Sequence, residues 1–236
     1  MTTASPIGML RCLMPHLFSG ARLERLPDPK YAEALEFAEI ALDARGPRPA
    51  LLSRWRDQMP ASFVCASVAP EDALVSPRGP LRRTDALEGA RNRWVEGAKA
   101  LRARVLIVPT DSQVTTGKRD QDLLTEYLAK INAPKGARVA WAPSGLWTLP
   151  DASRFAKKVG VLLAADPFDP FWNETGEIVY CRLEAHGVRQ NLSDTLLAEL
   201  LARLRSASTG EAFLSMASAT AFRQAVRLRQ MADAGP

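Results

Sequence analysis

Short apolar runs recur along the chain at intervals that fit strands separated by helices. They are Ile7–Leu13 (IGMLRCL), Phe37–Leu42 (FAEIAL), Phe63–Ser67 (FVCAS), Val105–Val108 (VLIV), Arg138–Ala142 (RVAWA), Val161–Ala165 (VLLAA), Ile178–Leu183 (IVYCRL) and Ala212–Ser215 (AFLS). They are near-continuous rather than alternating, which suits strands covered on both faces. Between them lie segments with helical spacing: Asp28–Glu36, Pro49–Gln58, Thr84–Leu101, Asp120–Ile131, Asp151–Lys158, Ser193–Arg205 and Ala217–Arg229. Thr84 and Ser193-Asp194 carry N-cap chemistry. The link Asp166–Glu177 (DPFDPFWNETGE) lacks a helix, because its prolines oppose one.

Eight buried strands alternating with helices predict a parallel sheet, since parallel neighbours need crossover connections. Eight units imply an α/β fold of the closed TIM-type (β/α)8 kind, one domain over residues 1–236 with an irregular sixth crossover. The rival, an open doubly wound sheet, usually carries a glycine-rich phosphate loop after its first strand; Leu13–Ala21 (LMPHLFSGA) has none.

Composition changes the picture little. The chain has 236 residues, 47% hydrophobic and 24% charged, so it has material for a sizeable core. No apolar run is long enough to span a membrane, and the N-terminus has no basic leader before an unbroken apolar core. Three scattered cysteines, Cys12, Cys65 and Cys181, suggest neither a disulfide framework nor a zinc site. A cytoplasmic home is expected, with no membrane association, no cofactor and no bound metal. The net charge of +5 is carried mainly by arginine, three of them in AFRQAVRLRQ. A solvated helix face is the plainer reading, and phosphate tracking along nucleic acid the minor one.

The order of segments resembles the YecE-like family, domain of unknown function 72. The cues are FAEIALDARGP with RW and MPASF, then VLIVPTDSQVTTGKRDQDLLTEYL, RVAWAPSGLW, GVLLAADPFDP, IVYCRLEAHG and NLSDTLLAELLARL. The resemblance implies a barrel of this type and no agreed reaction. It also exposes losses. Members tend to read Glu-x-Asn-x-Thr-Phe-Tyr after the second strand; here Glu39 is followed by Ala41–Arg45. Where a lysine is usual after the third strand stands Val68. Where Trp-Glu-Pro-Arg-Gly is usual stands Trp141-Ala142-Pro143-Ser144-Gly145. The seventh unit keeps Arg182 and a His-Gly pair, with His186 displaced by Glu184-Ala185. An active-site rim of this composition is eroded.

The polar groups left at the strand ends are Asp111, Asp166, Glu184 and His186, the candidates for acid–base chemistry. Asp166-Pro167 and Asp169-Pro170 read equally as turns. Arg182 within a strand needs an anionic ligand or a buried carboxylate, and Glu39 is the candidate partner. Arg182, Glu39, Trp141 and Trp147 are the candidate ligand-binding residues. Nucleophilic catalysis has little support: there is no GxSxG elbow, and His16 and His186 are the chain's two histidines. Two readings follow. In one the chain is a pseudoenzyme barrel that binds a protein partner or an anionic small molecule, with Trp147, Phe168, Phe171 and Trp172 plugging the mouth or meeting that partner. In the other it is a divergent hydrolase or isomerase acting on a small anionic substrate at the C-terminal rim.

Overall fold

The computed structural model describes residues 15–43, 46–184 and 191–234. In chain order the elements are β1 (His16–Leu23), α1 (Pro29–Ala34), β2 (Phe37–Ile40), α2 (Pro49–Gln58), β3 (Val64–Val68), α3 (Glu71–Leu74), β4 (Val75–Ser76) and β5 (Gly79–Pro80). They continue as α4 (Asp85–Ala100), β6 (Val105–Pro109), α5 (Lys118–Ala129), β7 (Arg138–Ala142), α6 (Leu149–Val159), β8 (Leu162–Ala165), β9 (Gly176–Glu184), α7 (Asp194–Ala207), β10 (Ser208–Ala217) and α8 (Ala221–Asp233). Eight strands close a parallel barrel in the order β1, β10, β9, β8, β7, β6, β3, β2, while β4 and β5 form a separate two-stranded hairpin.

The helices begin where the caps say. Thr84 accepts from the Leu87 N–H, Thr148 from Asp151, and Ser193 from Leu196. Gly160, left-handed at φ 75°, ends α6. Between β8 and β9 the described chain turns without a helix, as the prolines of DPFDPFWNETGE required. Two expectations are corrected. The first strand is His16–Leu23, not Ile7–Leu13, and the latter run lies outside the described residues. The insertion between β3 and α4, made of α3 and the hairpin, was not read from the sequence.

Two apolar layers hold the fold. Inside the barrel, Phe18, Phe37, Tyr180 and Phe213 stand against the smaller Ala66, Ala140 and Ala164. Phe18 stacks on Phe213 with ring centroids 4.9 Å apart, and Tyr180 lies 6.0 Å beyond. Large opposite small fills the lumen, so the barrel is a packed core rather than a pore. Outside it, the alternate strand residues meet the helices, Leu106, Trp141, Leu163 and Leu214 among them.

The β1–β2 seam is the tightest. Gly20 sits so close to β2 that an added Cβ would fall 2.0 Å from the Phe37 carbonyl oxygen. The Tyr31 hydroxyl bridges the same seam, donating to the Phe37 carbonyl at 2.8 Å and accepting from the Ala21 N–H at 2.8 Å. Among the described residues no helix is long and apolar enough to cross a membrane.

Candidate functional site

The strands' C-terminal ends make one mouth, where (β/α)8 barrels place their chemistry. Inward-facing positions alternate along each strand, and the last ones on β1, β2 and β9 carry charge. Arg22 of β1 is in register with Glu39 of β2, and Arg182 and Glu184 end β9. The Glu39 carboxylate is fully buried. It accepts from the Tyr180 hydroxyl at 2.7 Å and from the Arg182 guanidinium at 2.9 Å. This is the Glu39–Arg182 pairing the sequence suggested. Arg182 is 11% exposed and also lies 3.6 Å from Glu184.

The electrostatics follow from the burial. Burial works against the Arg182 charge, but Glu39, with Tyr180 and Glu184, outweighs it and holds the guanidinium above its ordinary pKa. Burial, then the Glu39 carboxylate, pushes the Tyr180 hydroxyl well above its usual range, so it stays a donor.

Arg22 is different. Its side chain is 34% exposed, and its guanidinium stands 3.7 Å from Glu39 and donates a long hydrogen bond to Glu184 at 3.4 Å. These are longer than a tight charge-assisted hydrogen bond of about 2.7–2.9 Å. It also lines both cavities of the mouth. One, of about 720 Å³, runs past Ala41, Val68 and Pro109, with Glu24, Glu71 and Asp72 on its wall. The other, of about 840 Å³, lies between Arg22, Arg25, Ala217 and Ser218.

Two other sequence candidates follow the ends of β6 and β8. Asp111 is exposed and accepts from the Gln113 N–H two residues on. Asp166 accepts from the Phe168 N–H and Asp169 from the Phe171 N–H, each holding its own turn. Glu184 joins the mouth network through Arg22 and Arg182; His186 lies outside the described residues, as does Cys12. Among the described residues no group of three histidine, cysteine or acidic side chains is placed to hold a metal.

Trp141 and Trp147 lie together but on the outer side of the sheet. Trp141 is fully buried, donates to the Thr110 hydroxyl at 2.9 Å and packs edge-on against Trp147 and Phe155. Trp147 donates to the Val114 carbonyl at 2.8 Å, and the Ser144 hydroxyl to the Thr110 carbonyl at 2.9 Å. Gly145, at φ 78°, sits where a Cβ would fall 2.5 Å from the Ser112 Cα. The stretch AWAPSGLW therefore latches the loop after β7 onto the loop after β6. Phe168 and Trp172 pack on the outer core and Phe171 is 66% exposed, so the loop aromatics do not plug the mouth. The lumen aromatics fill the barrel beneath it instead.

Val68 and Ala142 face the barrel interior at the mouth. At these two positions the YecE-like resemblance leads one to expect a lysine and a glutamate. Arg22, Glu24 and Tyr180 were missed in the sequence. The period-two pattern of HLFSGARL, with Phe18, Gly20 and Arg22 on one side, was the available signal.

A scan against protein-family models gives no match, and neither does a search of curated proteins. Among solved structures, a DUF72 family protein from Enterococcus faecalis V583 is similar at 13% identity and a TM-score of 0.70, over 92% of this chain and 95% of that one. A DUF72 family protein from Thermotoga maritima MSB8 is similar at 13% identity and a TM-score of 0.64, over 92% and 99%. A xylose isomerase-like TIM barrel/4-hydroxyphenylpyruvate dioxygenase fusion protein is similar at 14% identity and 0.55, over 94% of this chain and 45% of that one. The likeness is one of fold, and it agrees with the barrel that the segment order predicts. The chain is a (β/α)8 barrel with the fold of the DUF72 family proteins.

Proposed function

We propose that this chain, as one domain over residues 1–236, is a divergent YecE-like barrel that works by binding rather than by catalysis. Its ligand is a small molecule bearing a carboxylate or similar anionic group, met at the C-terminal mouth by Arg22. The observation that carries this is the contrast between the two arginines. Arg182 is spent on Glu39 at 2.9 Å, whereas Arg22 is held at 3.4 and 3.7 Å and borders both cavities. A guanidinium in that state offers its fork to an arriving anion at little cost in broken bonds.

The wall narrows the class. Glu24, Asp43, Glu71 and Asp72 line the same cavity as Arg22, and Asp72 is paired with Arg93 at 3.2 Å. Such a wall disfavours a polyphosphate and favours a ligand with a positive group beside its acid, as in an amino acid. Asp111 is exposed and holds a turn, which supports binding over the hydrolase or isomerase reading.

The test is a thermal-shift panel of amino acids, dicarboxylates, inorganic phosphate and a nucleoside triphosphate at millimolar concentration. Ligand that binds the native state raises the midpoint by an amount set by its concentration over Kd. Midpoint rises are expected for the amino-bearing carboxylates, and none for the triphosphate. A flat panel, or turnover of a probe that survives Arg22→Gln, overturns the reading.

A further inference from the structure

A third cavity, of about 490 Å³, lies between α2 and α4 on the outer side of β3. Its apolar lining is chiefly Leu52, Trp94 and Leu101, and it shares Leu42, Asp43, Val68, Pro70 and Asp72 with the mouth cavity that runs past Ala41. Its size is that of a small-molecule site, which usually holds about 300–1,000 Å³. Two features of its lining are unexplained by packing alone.

The first is a hydroxyl. Ser67 is 5% exposed and accepts from the Trp94 indole N–H at 3.0 Å. Its own O–H has no acceptor among the described residues. A buried donor left unmet costs free energy, so native structures almost always supply an acceptor.

The second is a pair of glycines inside a 16-residue helix. Gly89 and Gly97 of α4 both line the cavity. Neither has a left-handed backbone, and glycine is the poorest residue after proline in a helix interior. Close packing does not demand them. A Cβ at Gly89 would meet the end of the Arg93 side chain at 3.6 Å, and one at Gly97 the Leu52 Cδ1 at 3.4 Å. What the glycines do is leave the hollow empty.

We propose that this cavity is a ligand site for an uncharged, mainly apolar molecule whose hydrogen-bond acceptor, a carbonyl or ether oxygen, is met by the Ser67 hydroxyl. The rim carries both signs, Arg48 and Arg93 against Asp43, Asp72 and Glu96, so it gives no pull to a charged ligand. Arg22, which meets the mouth ligand in the proposed function, does not line this cavity.

Acetophenone and ethylbenzene, which match in shape and differ in the acceptor, are suitable probes for ligand-observed NMR titration of the whole chain. Acetophenone is expected to bind wild type about three- to tenfold more tightly than ethylbenzene, the worth of one hydrogen bond. Ser67→Ala should remove that preference. Gly89→Leu and Gly97→Leu, each favourable for the helix, should abolish binding of both probes while the thermal midpoint holds or rises. Arg22→Gln at the mouth should leave both unchanged. The proposal is overturned if neither probe binds wild type at millimolar concentration. It is equally overturned if both probes survive both leucine variants, or if Ser67→Ala leaves the ketone's preference intact.

Discussion

Replacing Arg182 with methionine isolates the buried pair beneath the mouth. Met keeps the bulk of the stem and removes the guanidinium. Glu39, fully buried, is then left with the Tyr180 hydroxyl at 2.7 Å and with Arg22 at 3.7 Å. Breaking a buried pair on one side costs about 3–5 kcal/mol, because the remaining charge is uncompensated. Arg22 is partly exposed and free to move inward, which places the expected loss near about 3 kcal/mol. For a domain of this size that is a fall of roughly 6–12 °C in midpoint, at about 2–4 °C per kcal/mol. The double variant Glu39→Leu with Arg182→Met removes both charges from the interior, and most of the loss should return. Urea unfolding followed by far-UV circular dichroism measures all three proteins. A loss below about 1 kcal/mol for Arg182→Met, or a double variant as unstable as the single, would refute the account of this pair.

Burial pushes the Cys65 thiol up to about 12. It likewise raises Cys181, Tyr31, Tyr127 and Tyr180. The folded state keeps protons that the unfolded chain releases, so stability is full below about pH 9 and falls as pH rises toward about 12. A urea midpoint at about pH 10.5 that equals or exceeds the one at pH 8 would contradict this. A thiol reagent at pH 8 should leave Cys65 and Cys181 unmodified in the native protein and reach both after unfolding; prompt native labelling of either contradicts their burial. Gly20→Ala should cost about 3 kcal/mol or more, because its Cβ meets the Phe37 carbonyl and the seam must part; an unchanged midpoint contradicts the tight seam. Gly145→Ala should cost about 1–3 kcal/mol and raise amide exchange in the loops after β6 and β7; unaltered exchange there contradicts the latch.

The barrel was legible because its strands are buried on both faces and so read as continuous apolar runs. Seven of the eight runs fall on barrel strands, and α2 is placed at Pro49–Gln58 as the helical spacing predicted. The first strand was not legible for the same reason turned round. His16–Leu23 carries Ser19, Gly20 and Arg22, needed at a crowded seam and a polar mouth, and IGMLRCL nearby is the more apolar run. Continuous burial also hides which side of a strand faces the lumen. Ala140, Trp141 and Ala142 are all buried, and only register with β6 and β8 turns the tryptophan outward and the alanines in. The sequence alone therefore offers Trp141 as a ligand-binding candidate, and the structure turns it outward. The Glu39–Arg182 pair was legible because a charge inside an apolar strand demands a partner. Arg22 was not, because its partners lie on β2 and β9, and its role depends on distances of a few tenths of an ångström.

Calorimetric titration of the strongest amino-bearing carboxylate from the thermal-shift panel, into wild type, Arg22→Gln and Arg22→Lys, tests the central claim most directly. Under the proposal Arg22 meets the ligand; its long contacts to Glu39 and Glu184 are worth no more than about 1 kcal/mol, so both variants should lose at most a few degrees of midpoint. Arg22→Gln should weaken binding at least about tenfold, and Arg22→Lys should recover part of it, since the charge returns without the fork. Equal affinity in all three proteins would contradict the assignment of Arg22 as the residue that meets the ligand.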